Sequence, residues 1–154
     1  MKKLLITLLI LMFGLSAFAS DKEDAAKFFS KFESASNNYS SELLYMYAGN
    51  ARIIRQVIKP DGTTVNVYFT AKDYKSQMKI NSAIAKLRNY KNYYSNISIE
   101  KVSDGYKISA MRKPSLSNYK LKCYLIVQKQ QNEKWLIVEE MMQTKEQIFL
   151  RYAK

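Results

Sequence analysis

The sequence has no histidine and only one cysteine, Cys123. Without histidine it lacks the commonest general base and the commonest metal ligand. A zinc site and a histidine-based catalytic triad are excluded by inventory. A single cysteine cannot close an internal disulfide. Cys123 sits inside "LKCYLIV", a setting that predicts a small buried residue rather than a reactive thiol. Acidic residues are scarce too: 13 Asp and Glu stand against 25 Lys and Arg, a formal net charge of +12. Such a surface attracts polyanions, which outside the cytoplasm are anionic lipid or polysaccharide rather than chromosomes. No internal repeat, linker or low-complexity stretch breaks the 154 residues.

The one long apolar run is at the N-terminus. Lys2 and Lys3 precede "LLITLLILMF", Gly14 interrupts it, and "AFA" at 17–19 supplies small residues, Ala17 and Ala19, at the positions a signal peptidase reads. This pattern predicts a secretory signal peptide over residues 1–19, cleaved after Ala19. The apolar run is short for a bilayer about 30 Å thick. No cysteine stands at the cleavage point to carry a lipid. The predicted mature chain, 20–154, is the size of one domain and is expected in the periplasm or outside the cell.

Beyond the leader, "SDKE" has the form of a capping box and predicts a helix from Ser20 or Asp21. Ala25, Phe28, Phe29, Phe32 and Ala35 recur at helical spacing. "ELLYMY" reads as a short helix or turn. "ARIIRQVI", the turn residues Pro60-Asp61-Gly62 and "TVNVYFT" predict a hairpin over 51–70. Thr70-x-x-Asp73 predicts a helix start, with Tyr74, Met78, Ile84 and Leu87 turned to a core. "YSNISIEKV" and "YKISAMRK" are joined by Asp104-Gly105, a strong hairpin signal. "YKLKCYLIVQK" and "KWLIVEEMMQT" complete a run of consecutive antiparallel strands, and "KEQIFLRYAK" predicts a short terminal helix. The segregation of helices and strands means α+β, with helices on one face of a bent sheet.

Three stretches carry a family resemblance: the amphipathic first helix, "LYMYAGNARIIRQVIKPDGTTVNVYFTAKDYKSQM" and "NEKWLIVEEM". Their order over nearly all of 21–144 resembles the nuclear-transport-factor-2-like superfamily, also called SnoaL-like or cystatin-like. The resemblance implies a cone: a curved antiparallel sheet wrapped around the N-terminal helix, with a pocket at the open end. Family members include isomerases, dehydratases, ligand-binding modules, dimeric adaptors and periplasmic parts of secretion machines, so fold does not choose a function.

The enzymes of this superfamily place an aspartate or histidine near the start of the first long strand, where an apolar pocket raises a carboxylate's pKa toward neutrality. Here that position holds Asn50, and Tyr47 to Ile58 contain no acid. An amide cannot take a proton at working pH, so the reading leans away from an enzyme. Glu139 and Glu140 are the remaining carboxylates of interest. By strict alternation Glu139 shares a face with Trp135, Ile137 and Met141, while Glu140 shares one with Leu136, Val138 and Met142. The alternative to a pocket role is a salt bridge to Arg52, Arg55 or Arg112.

The sequence therefore points to an exported, non-enzymatic protein that binds a ligand or serves as an envelope interaction module. The expected ligand-contacting residues are Phe28, Phe32, Tyr47, Asn50, Tyr68, Met111, Trp135 and Glu139. A small apolar or amphipathic ligand, an envelope protein, an anionic envelope surface and a second copy of the chain are the partners this reading admits. Nucleic acid, metal and cofactor are not among them. The alternatives are a periplasmic adaptor resembling secretion-system domains and, behind it, an isomerase- or cyclase-like enzyme.

Overall fold

The computed structural model describes the backbone of residues 2–153 and the side chains of residues 20–153. The signal-peptide expectation falls on side chains outside that range. Helix α1 spans Lys2–Asn37 and α2 spans Ala71–Leu87. The strands are β1 Tyr47–Ile58, β2 Thr64–Thr70, β3 Asn92–Val102, β4 Gly105–Pro114, β5 Leu121–Lys129 and β6 Trp135–Thr144. Short 3-10 helices, Ser41–Met46 and Gln147–Tyr152, follow α1 and β6.

The expected helix start at Ser20 is not seen: α1 is already helical there. Ser20 is then an interior residue, and a capping box serves only a free helix end. The end of α1 is marked as "SNNYSS" predicts. Tyr39 takes a positive φ of 56°, and the Ser40 amide reaches back to the Ala35 carbonyl at 2.9 Å. These are the elements of a Schellman stop. At the start of α2 the Asp73 amide donates to the Thr70 hydroxyl oxygen at 3.1 Å, and that hydroxyl donates to the Asp73 carboxylate at 2.7 Å. This reciprocal cap is the start that Thr70-x-x-Asp73 predicts.

The sheet runs β2-β1-β6-β5-β4-β3. Every pairing is antiparallel except β1 with β6, which is parallel. That junction joins the early hairpin to the late meander and makes one curved sheet with helices on its concave side. Helix α1 lies against β3 and β4, and α2 against β1 and β2. The α1 stripe is buried as its spacing implies: Ala25, Phe28, Phe29, Phe32 and Ala35 all lie in the core. At ~1.5–3 kcal/mol for each large apolar side chain removed from water, the three phenylalanines are the main hold of α1 on the sheet.

Three irregularities bend the sheet, as bulges do. In β3 the register slips between Ser95 and Ser98, where Asn96 has φ 54°. In β1 it slips between Tyr47 and Arg52. Across β5 and β6, Ile126 pairs with Glu139 but Val127 pairs with Ile137, which leaves Val138 as an extra residue. The hairpin between β3 and β4 turns at Ser103-Asp104, one residue before the predicted turn, and Gly105 pairs with Val102 as the first residue of β4. Its glycine is required by crowding: a Cβ there would sit 2.0 Å from the Val127 carbonyl oxygen.

Helix α2 corrects one expectation. Tyr74 and Met78 pack on the core, but Ile84 and Leu87 are exposed. At 3.6 residues per turn Ile84 and Leu87 stand across the helix from Met78, so one inward face cannot hold all three.

Candidate functional site

The concave face carries a buried polar cluster around Glu140, and the bulge at Val138 creates it. In a regular strand Ile137 and Glu139 would share a face. The extra residue shifts the alternation, so Ile137 and Glu140 share the core and both are 0% exposed. Glu139 turns to the opposite face.

Glu140 is met by two side chains, and a third, Tyr74, packs against both of them. The Tyr47 hydroxyl donates to Oε2. Arg55 Nη2 lies 2.7 Å from Oε1 as an ion pair. The Arg55 guanidinium stacks 4.8 Å from the centre of the Tyr74 ring, which meets the Tyr47 ring edge-on with centroids 5.4 Å apart. Burial first, then the charge of Glu140, pushes the Tyr47 hydroxyl well above its ordinary pKa and Tyr74 up to about 12. Burial opposes the Arg55 charge, yet the Tyr74 and Glu140 oxygens outweigh it and raise its pKa. Both phenols therefore stay protonated at neutral pH and the guanidinium stays charged.

Aromatic rings pack beside this cluster between α1 and the sheet. Phe29 meets Tyr94 edge-on at 5.2 Å, and Phe32 lies 6.4 Å from the same ring. The Tyr94 phenol is held well above its ordinary pKa, first by burial and then by the nearby Cys123 thiol. Cys123 itself is pushed up to about 12 by burial, and its Sγ donates to the Ala110 carbonyl at 3.5 Å. It is an inert core thiol, as its position in the sequence implies. A second buried cation, Arg112, anchors the seam between α1 and the sheet. Its Nη1 donates to Asn92 Oδ1 at 2.9 Å and its Nη2 to the Gln143 carbonyl at 3.0 Å. Asn92 in turn exchanges two 2.8 Å hydrogen bonds with the Asn37 side chain at the end of α1.

The convex face carries the outer counterpart. Arg52 Nε donates to Glu139 Oε2 at 2.8 Å, and the Tyr124 hydroxyl donates to Oε1 at 2.6 Å. Burial and this hydrogen bond push Tyr124 up to about 12. The salt-bridge reading of the two glutamates thus holds, with Arg52 serving Glu139 and Arg55 serving Glu140.

The expected ligand-contacting residues do not converge. Phe28, Phe32 and Tyr47 lie in the core, and Trp135 packs on its edge against Tyr106. Glu139 is on the convex side. Met111 shares a face with Lys107 and Ser109 rather than with buried Ile108 and Ala110. Tyr68 is exposed on β2, opposite Ile54. Asn50 is exposed within the bulged stretch of β1. Two surface grooves, of about 330 Å³ and about 430 Å³, are lined by Gly49, Ala71, Lys72, Lys75, Ser76 and Lys79, and by Ile58, Lys59, Pro60, Gly62, Lys145 and Gln147. None of the eight expected residues borders either. Among the described residues, no cluster of His, Cys, Asp and Glu is placed to hold a metal ion, and no helix is long and apolar enough to cross a membrane.

Solved structures share this arrangement across most of their length. One is an NTF2-like protein of unknown function from Pseudomonas putida KT2440, with TM-score 0.63, 6% identity, and coverage of 81% of this chain and 87% of that one. A protein with a cystatin-like fold from Nostoc punctiforme matches with TM-score 0.55 at 14% identity, over 81% of this chain and 91% of that one. The chain has the NTF2-like fold. A third structure with this fold is the yeast complex of the deubiquitinase Ubp3 with its Bre5 cofactor, with TM-score 0.58, 18% identity, and coverage of 78% and 92%. No protein-family model and no curated protein matches the sequence.

Proposed function

We propose that this NTF2-like protein is exported and non-enzymatic, and that it acts in the cell envelope as an interaction module through its outer surface. The carrying observation is the buried and partnered carboxylate on the concave side. Glu140, a carboxylate on the concave side, is fully buried. It is hydrogen-bonded by Tyr47 at one oxygen and ion-paired with Arg55 at the other, an oxygen with no hydrogen-bond partner among the described residues. A general base must come within hydrogen-bond reach of the proton it removes, and a ligand site of this fold needs open volume where Phe29, Phe32 and Tyr94 now pack. The yeast Ubp3–Bre5 complex supports the reading by analogy, since a chain with this fold is there part of a protein complex. The basic composition and the leader pattern favour an anionic, extracytoplasmic setting.

Thermal melting against a panel of small apolar and amphipathic molecules tests this. No compound is expected to raise the melting temperature. A shift that disappears when Phe32 or Tyr47 is substituted overturns the proposal and restores a ligand site inside the cone.

A further inference from the structure

Helix α2 has two apolar faces. Ala71, Tyr74 and Met78 face the sheet and pack on the core. Ile80, Ile84 and Leu87 follow at i, i+4 and i+7, which is one stripe of a helix, and they are 66%, 51% and 87% exposed. A contiguous exposed apolar stripe marks a contact surface. Its charged surroundings are one-sided. Lys72, Lys79 and Lys86 run along one margin of the stripe by helical position. Lys72 and Lys79 also line the groove of about 330 Å³ between α2 and Gly49, whose charged lining residues are all lysine. Lys75, in the same groove, is tethered through its ammonium to the Tyr47 carbonyl at 2.9 Å. The one carboxylate of α2, Asp73, is bonded to Thr70 at the opposite end of the helix.

Charge decides the occupant. A second copy would bring the same lysines to the same stripe, and like charges would meet. An anionic leaflet offers apolar depth under a layer of phosphates, the chemistry of a helix with an apolar face and a lysine margin. We propose that α2 docks on an anionic lipid surface. Ile80, Ile84 and Leu87 enter the boundary of the acyl chains, and Lys72, Lys79 and Lys86 meet the phosphates. This rests on the reading that the protein works through its outer surface, and it names the partner.

The test is vesicle co-sedimentation with the protein purified after export, so that wild type and variants share one N-terminus. Vesicles of phosphatidylcholine alone are compared with vesicles of phosphatidylcholine and phosphatidylglycerol in equal parts. Wild type is expected to bind only the anionic vesicles and to release as salt is raised. Ile84→Asp and Leu87→Asp are expected to weaken binding roughly tenfold or more, and Lys79→Gln and Lys86→Gln roughly fivefold each. All four positions are on the outer side of the helix, so melting temperatures should stay near wild type. Absence of wild-type binding overturns the proposal. So does binding that Leu87→Asp leaves intact while the lysine variants lose it, because that is the behaviour of a soluble polyanion site. A protein captured by crosslinking at Ile84 without vesicle binding also overturns it, yet leaves the surface reading standing. A small molecule held inside the cone would sink the surface reading itself.

Discussion

Arg55 and Glu140 meet 2.7 Å apart inside the cone, with side-chain exposures of 10% and 0%. One residue earlier on β6, Glu139 pairs with Arg52 on the opposite face, where the arginine is 62% exposed. The same two residue types thus form an inner and an outer ion pair, and their energetics should differ. Glu140→Ala leaves an unpaired buried guanidinium and is expected to cost about 3–5 kcal/mol. Replacing Arg55 and Glu140 together by Met and Leu should cost less than either single change, since the buried charge goes with its partner. Arg52→Ala should cost less than about 1 kcal/mol. Urea unfolding of these variants and of the two single replacements checks the ranking. Equal losses for Arg52→Ala and Glu140→Ala would contradict it.

The phenols around Glu140 make the fold sensitive to alkali. Tyr74 is raised from an ordinary 10.0 to about 12, and Tyr47 is raised too. A group whose pKa is higher in the folded state binds its proton more tightly there. Its contribution is complete below pH 10 and is lost as pH rises through about 12. Circular dichroism against pH should therefore show unfolding begin above pH 10, and Tyr74→Phe should move that transition upward. An unmoved transition in Tyr74→Phe would exclude Tyr74 as a source.

Tyr94 and Phe32 share a ring contact but should respond differently. The Tyr94 hydroxyl is buried without a hydrogen-bond partner among the described residues. Removing it in Tyr94→Phe is expected to be neutral or stabilising, because no bond is lost and a desolvated polar group goes. Phe32→Ala opens a cavity beneath α1 and is expected to cost ~3–5 kcal/mol. Denaturant midpoints of the two variants decide the matter.

Export makes a covalent prediction. In an export-competent bacterium the intact mass should correspond to a chain beginning at Ser20, with the protein in the periplasmic or extracellular fraction. A mass that retains Met1 in the membrane fraction would point instead to an anchored adaptor.

Local signals in the sequence were enough for the element order, the α1 stripe, the two hairpins and the cap at Thr70 and Asp73. Each depends on residues within a few positions of one another. A salt bridge from the two glutamates to Arg52, Arg55 or Arg112 was legible as an alternative, because charges on strands need partners, but which arginine serves which glutamate was not. What was not legible depended on partners far away in sequence. The bulge at Val138 arises where β6 pairs with β1 on one side and β5 on the other, and it exchanges the faces of Glu139 and Glu140. Nothing within "WLIVEEMM" announces it, since both faces are apolar. Met111 is different: regular alternation in β4 puts it on the face of Lys107 and Ser109, a local pattern that the sequence does show. The exposure of Ile84 and Leu87 is not legible, because apolar residues at helical spacing ordinarily face a core, and a helix with a second apolar face departs from that pattern.

The most direct test is native mass spectrometry of the protein recovered from its own envelope, run beside Leu87→Asp. The prediction is the mass of the polypeptide in the variant, with any lipid adduct confined to wild type. A small molecule retained at one copy per chain in both proteins would mean that the cone holds a ligand, and would contradict a function carried by the outer surface.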